Sequence, residues 1–185
     1  MLKWFGSHRR LGRSAHNLYG SIVTAARQPA LFSEYGVPDT VEGRFELLLA
    51  HLFLVLERLR REGGSEAALA QNLVDVFFAD MDTSVRELGV GDMAVPKKMR
   101  NLATVVKERL AAYRVAMDSD DASLLAGLAA ETVVSDGPAG AGASFAAYMR
   151  RCQQALERQP VEILRNAAPD VSLVAGVTIS GRQHS

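Results

Sequence analysis

Apolar residues recur at three- and four-residue steps along most of this chain, the period of helices that turn one face toward a core. The pattern is plainest from Ala70 to Met99. Leu73, Val76, Phe77, Met81, Val85 and Leu88 form one stripe, and Asp75, Asp80, Asp82, Arg86 and Glu87 fall mostly outside it. Gly89-Val90-Gly91 stops that helix, and Asp92 or a neighbour is placed to cap the next. Pro96 suits the first turn of the new helix, where a missing N–H costs nothing. Lys97, Lys98 and Arg100 follow at once. An acidic helix, a glycine elbow and a basic helix start therefore stand close together.

The same period organises the rest. Ala15, Leu18, Tyr19, Ile22, Val23 and Ala26 predict a first core helix that ends before Pro29. After the turn at Tyr35-Gly36-Val37-Pro38, Asp39 with Glu42 predicts a capping box that opens a helix to about Arg61. From Leu47 to Leu56 every residue but His51 is apolar, so this helix should be surrounded on nearly all sides. Arg44, Glu46, Glu57 and Arg58 close in well short of the ~20 apolar residues of a membrane span. His51 reads as a hydrogen-bonded core histidine, since no second histidine stands nearby.

Gly63-Gly64 ends that helix and Ser65 is placed to cap the next. Beyond Pro96, Met99, Leu102, Ala103, Val106, Leu110, Tyr113 and Met117 share a face, with Lys98, Arg100, Lys107, Glu108 and Arg114 opposite. An acidic turn at Asp118 to Asp121 precedes a short helix marked by Leu124, Leu125, Leu128, Ala129, Thr132 and Val133. Gly137-Pro138 closes that helix, and Gly140 to Ala143 reads as a linker. Phe145, Tyr148, Met149, Cys152, Ala155 and Leu156 mark the last long helix; Pro160 breaks it, and Val161 to Asn166 adds one turn. The expected fold is an all-α, single-domain bundle of about six or seven helices. It divides into a basic arm over 1–13, a helical body over 14–166 and an extended or disordered tail over 167–185.

Charge changes this picture at one end. Net charge is zero over 185 residues, but five basic residues and no acid precede Glu34, leaving 16 basic against 21 acidic residues after it. Lys3, Arg9, Arg10 and Arg13, with Trp4 and Phe5 beside them, compose an arm suited to an anionic membrane surface; a solvated arm fits equally. The lone Cys152 excludes an internal disulfide and, placed on an apolar face, reads as an inert packed thiol. With no signal peptide in view, the reading is a bacterial cytoplasmic protein, peripheral at the inner membrane, or a mitochondrial one if eukaryotic.

Catalytic patterns are missing. Gly89-Val90-Gly91-Asp92-Met93-Ala94 imitates a dinucleotide fingerprint, which works only between a strand and a helix. Asp80-Met81-Asp82 starts like a calcium loop but lacks the later glycine and glutamate. No Glu-x-x-His pair, nucleophile elbow or phosphate loop occurs, and four histidines are scattered. No catalytic residue, metal, cofactor or small-molecule substrate is expected. An enzyme on a helical scaffold and a helical nucleic-acid- or ribosome-binding module remain the alternatives to a protein-binding role.

Four short motifs occur in order: Tyr35-Gly36-Val37-Pro38-Asp39-Thr40-Val41-Glu42-Gly43-Arg44-Phe45-Glu46, Phe78-Ala79-Asp80-Met81-Asp82, Arg86-Glu87-Leu88-Gly89-Val90-Gly91-Asp92 and Val95-Pro96-Lys97-Lys98-Met99. Through them the chain resembles the ubiquinol–cytochrome c chaperone family from about Leu18 to Leu156. The resemblance implies a helical assembly chaperone for respiratory complex III whose client is newly made cytochrome b. It also implies a small partner subunit and the ribosome as further partners, and it supplies no catalytic residue. The partner-binding candidates are Asp80, Asp82, Arg86, Glu87, Asp92, Lys97 and Lys98 at the elbow, with Tyr35 and Asp39 from the first motif. Capping and internal ion pairing are the competing roles for these charges.

Overall fold

A computed structural model describes residues 2–64 and 66–166, with side chains from residue 12 onward. The described chain is α1 (Leu2–Ala26), α2 (Pro29–Ser33), α3 (Val41–Glu62), α4 (Glu66–Glu87), α5 (Val95–Asp118), α6 (Ala122–Thr132), α7 (Ala141–Arg158) and α8 (Val161–Arg165). Six of these are helices of three turns or more and two are single turns, an all-α bundle as the apolar period requires. Ser65, the cap expected for α4, and the tail over 167–185 lie outside the described residues.

α3 is the axis. Leu47 and the whole run from Leu49 to Val55 are buried, and α1, α4, α5 and α7 all pack against this helix. Leu18 and Ile22 of α1, Leu69, Leu73 and Phe77 of α4, Tyr113 of α5 and Phe145 and Met149 of α7 fill the core around it. Each comes from a three- or four-residue stripe, so burying one face of each helix completes the core. Among the described residues no helix is long and apolar enough to cross a membrane.

Several boundaries differ from the sequence reading. α1 starts at Leu2, so the basic arm and the first core helix are one continuous element. The single turn α2, with Pro29 in its first turn, was not foreseen. α3 is capped by Thr40, whose hydroxyl accepts from the Gly43 N–H at 3.1 Å, and not by Asp39. α5 has Ala94 at its N-cap position with no side-chain cap, so Asp92 does not close it. The expected linker at Gly140 to Ala143 is instead the start of α7, with Ala141 and Gly142 buried. Gly142 is required there: a Cβ would stand 2.5 Å from the Ala126 carbonyl oxygen and 2.8 Å from the Ala130 Cβ. α6 therefore lies almost directly on the backbone of α7.

Three predicted core positions are exposed: Leu88, Ala103 and Leu124. Leu88 is 70% and Leu124 is 47% exposed. Beyond Phe77 α4 has no buried residue, and α5 has only Val95 before Val106. The facing ends of α4 and α5 thus stand at the edge of the core, joined through Gly89, whose φ of +76° ends α4 at little cost for a residue without a Cβ.

Candidate functional site

The elbow between α4 and α5 is held by one arginine. Arg86 donates to Asp82 Oδ2 at 2.7 Å, one turn back on α4, and to Asp92 Oδ1 at 2.8 Å in the loop. The bond to Asp82, and then the charge of Asp92, hold this guanidinium even more firmly protonated than usual. All three side chains are solvated, so the tie sets the loop's shape more than it stabilises the fold. Glu87, Lys97 and Lys98 stand beside it, exposed and without an ion-pair partner among the described residues. Leu88 at 70% and Met93 at 96% exposure put apolar groups in the same place.

Three other candidates belong to different neighbourhoods. Asp80 accepts from the Tyr19 hydroxyl at 2.6 Å and so ties α4 to α1. Burial, and then that bond, raise the Tyr19 phenol above its ordinary range. Tyr35 packs its ring 5.2 Å from that of Tyr148, and its hydroxyl accepts from Arg151 at 2.8 Å. Asp39 pairs with Arg44 at 2.6 Å, a bond that holds its carboxyl below the usual value. The elbow thus gathers Asp82, Arg86, Glu87, Asp92, Lys97 and Lys98, while Asp80, Tyr35 and Asp39 serve α1, α7 and the start of α3. Of the expected membrane-surface residues, Arg13 is exposed on α1. The side chains of Lys3, Trp4, Phe5, Arg9 and Arg10 lie outside the described residues.

Several titratable groups of the interior are held by hydrogen bonds or ion pairs. His51 donates from Nδ1 to the Leu47 carbonyl at 2.7 Å and accepts at Nε2 from the Tyr148 hydroxyl, also at 2.7 Å. Burial pulls the imidazole down to about 4, so it is neutral at physiological pH. Cys152, buried one turn from Tyr148, has its thiol pushed up to about 12 by the same cause, which suits packing and not nucleophilic attack. Glu57 gathers Arg60 at 2.5 Å, Arg114 at 3.2 Å and Arg61 at 3.4 Å, and its carboxyl falls to about 2, chiefly through Arg60. Glu46, buried against α5, accepts from Arg109 at 2.9 Å; desolvation outweighs this pairing and raises its pKa. Among the described residues no group of three His, Cys, Asp or Glu is placed to hold a metal ion.

Sequence reasoning missed one surface. Between α5 and α6 runs an open groove of about 360 Å³ lined by Ala111, Ala112, Val115, Ala116, Leu124 and Leu128. The only signal for it was that Ala112 and Val115 fall outside the core stripe of α5, where polar residues are the norm.

Fold and surface together define the class: an all-α bundle that presents a charged elbow and an apolar groove outward. The sequence profile of the ubiquinol-cytochrome C chaperone family matches residues 33–171, and the chain belongs to that family. Three relatives carry the name ubiquinol-cytochrome c reductase complex assembly factor 1. The one from Xenopus laevis is 22% identical over 115 residues, 62% of this chain and 58% of the relative. That from Drosophila melanogaster is 27% identical over 127 residues, 64% and 48% respectively. That from Homo sapiens is 26% identical over 115 residues, 62% and 38%. The chain thus spans from about two fifths to three fifths of these relatives' length. The crystal structure of the Cbp3 homolog from Brucella abortus superposes with a TM-score of 0.78 at 37% identity, covering 92% of this chain and 94% of that one.

Proposed function

We propose that this protein is a non-enzymatic assembly chaperone for ubiquinol–cytochrome c reductase, and that its client is newly made cytochrome b. The family and the assembly factors among its relatives support complex III as the target. The observation that carries the elbow as the client site is the pairing of exposed Leu88 and Met93 with unpaired Lys97, Lys98 and Glu87. A hydrophobic membrane protein held before insertion needs apolar contact with a charged rim, the composition of protein-binding patches generally. A small partner subunit or the ribosome would share the task, and the protein would work beside the membrane that receives complex III. The basic segment from Lys3 to Arg13 would supply peripheral contact with that membrane.

Reversal of two exposed charges tests this reading. Lys97→Glu with Lys98→Glu should melt close to the parent, because exposed single charges rarely matter for stability. Like charges set across an interface cost several kcal/mol, so client binding should fall sharply. In cells carrying only the variant, the cytochrome b spectrum and the level of assembled complex III should drop. Normal melting with normal assembly would remove the elbow from consideration.

A further inference from the structure

The α5–α6 groove lies at the other end of α5 from the elbow: Lys97 and Val115 are 18 residues apart, about 27 Å along a helix. Its floor is small, with Ala111, Ala112 and Ala116, and its walls are Val115, 68% exposed, with Leu124 and Leu128. It is also preformed. The close approach of Gly142 fixes α6 on α7, and Arg150 of α7 donates to the carbonyls of Met117 at 2.7 Å and of Ala116 and Ser119 at 3.3 Å, fixing the end of α5. Alanines let another backbone come close, and the two walls cannot fold inward to cover the apolar floor.

Charge at its ends selects the occupant. Ala116 and Leu124 lie at the turn between the helices, so α5 and α6 run antiparallel past the groove. At the far end Glu108 stands one turn from Ala112 and Glu131 one turn from Leu128, on the same faces as those residues, and they outnumber Lys107, one turn from Ala111. At the near end Asp120 lies in the connecting turn. Glu108, Glu131 and Asp120 are exposed and make no ion pair among the described residues. We infer that the groove docks an amphipathic helix of a partner protein, two to three turns long, with an apolar face and lysines or arginines at both ends. A second copy across a two-fold axis would set acid against acid, and anionic lipid would meet the same repulsion. This inference holds whether or not the elbow takes a client.

The probe is a fluorescein-labelled synthetic helix of about 14 residues, with leucine and alanine on one face and lysines at both ends. Its control keeps the apolar face and ends in glutamates. By fluorescence anisotropy the lysine-ended helix should bind the full chain at least about tenfold tighter, a margin of ~1.4 kcal/mol. Val115→Glu with Leu124→Glu should abolish binding while the circular dichroism spectrum and melting stay unchanged. Glu108→Lys with Glu131→Lys should transfer the preference to the glutamate-ended helix. Equal affinity for both helices, no saturable binding, or full binding by the Val115→Glu, Leu124→Glu variant would overturn the inference. So would a dimer in sedimentation equilibrium that the same two substitutions dissolve, since the groove would then belong to a second copy.

Discussion

His51 shows how a histidine inside a chaperone fold becomes a stability element. Nδ1–H donates to the Leu47 carbonyl, and Nε2 accepts a hydrogen bond from the Tyr148 hydroxyl. The unfolded chain holds its imidazole near 6.5, whereas the folded one holds it near 4. Between those values the unfolded state binds more protons, so stability is complete above about pH 6.5 and is lost as pH falls toward 4. Chemical denaturation between pH 7.5 and 4.5 should show this loss, and His51→Gln should flatten the His51 share of the slope. Tyr148→Phe should cost about 1–3 kcal/mol at pH 7, because it leaves a buried acceptor without its donor. A variant as stable as the parent would mean that the Tyr148–His51 bond contributes nothing. The role of His51 was legible in the sequence, from ten residues with one polar member. Its partner was not, because Tyr148 lies 97 residues away and nothing local points to it.

At the scale of elements, periodicity marks a face but not what will lie against it. Leu88 and Leu124 continue their stripes and leave the core all the same, since α4 outruns its neighbours and α6 meets α5 only along part of its length. Thr40 and Asp39 offer adjacent oxygens to the start of α3, and spacing alone cannot choose between them; Asp39 goes to Arg44 instead. Of the elbow, the helix–turn–helix shape and the i,i+4 spacing of Asp82 and Arg86 were readable, but the departure of Asp80 toward Tyr19 was not. Helix ends closed from a distance are equally silent. Arg58 of α3 donates to the Leu156 and Gln159 carbonyls at 3.1 Å, closing α7, while Arg150 closes α5. Each guanidinium satisfies carbonyls that a helix leaves orphaned and also opposes the negative end of its dipole. Arg150→Ala should therefore destabilise the protein by about 1–3 kcal/mol, several times what an ordinary surface arginine costs. Unfolding in urea measures it, and a change within error would demote this contact.

For the molecule as a whole, contacts between residues far apart in sequence tie the amino-terminal helices to the carboxy-terminal ones. α3 meets α7 through His51 and Arg58, α4 meets α8 through Glu66 and Arg165, and α1 packs on α8. A chain cut after Thr132 keeps α1 to α6 but loses the hydroxyl that satisfies His51, the cap on α5 and the backbone that seats α6. It should show no cooperative melting transition by circular dichroism; a sharp one would reveal an autonomous amino-terminal unit. The arginine that closes α5 has a consequence in time. During synthesis α1 to α6 are made before Arg150 exists, so the groove and core that depend on it cannot be native until α7 has been made as well. A protein whose relatives are named as assembly factors thus has its own first six helices waiting on a seventh.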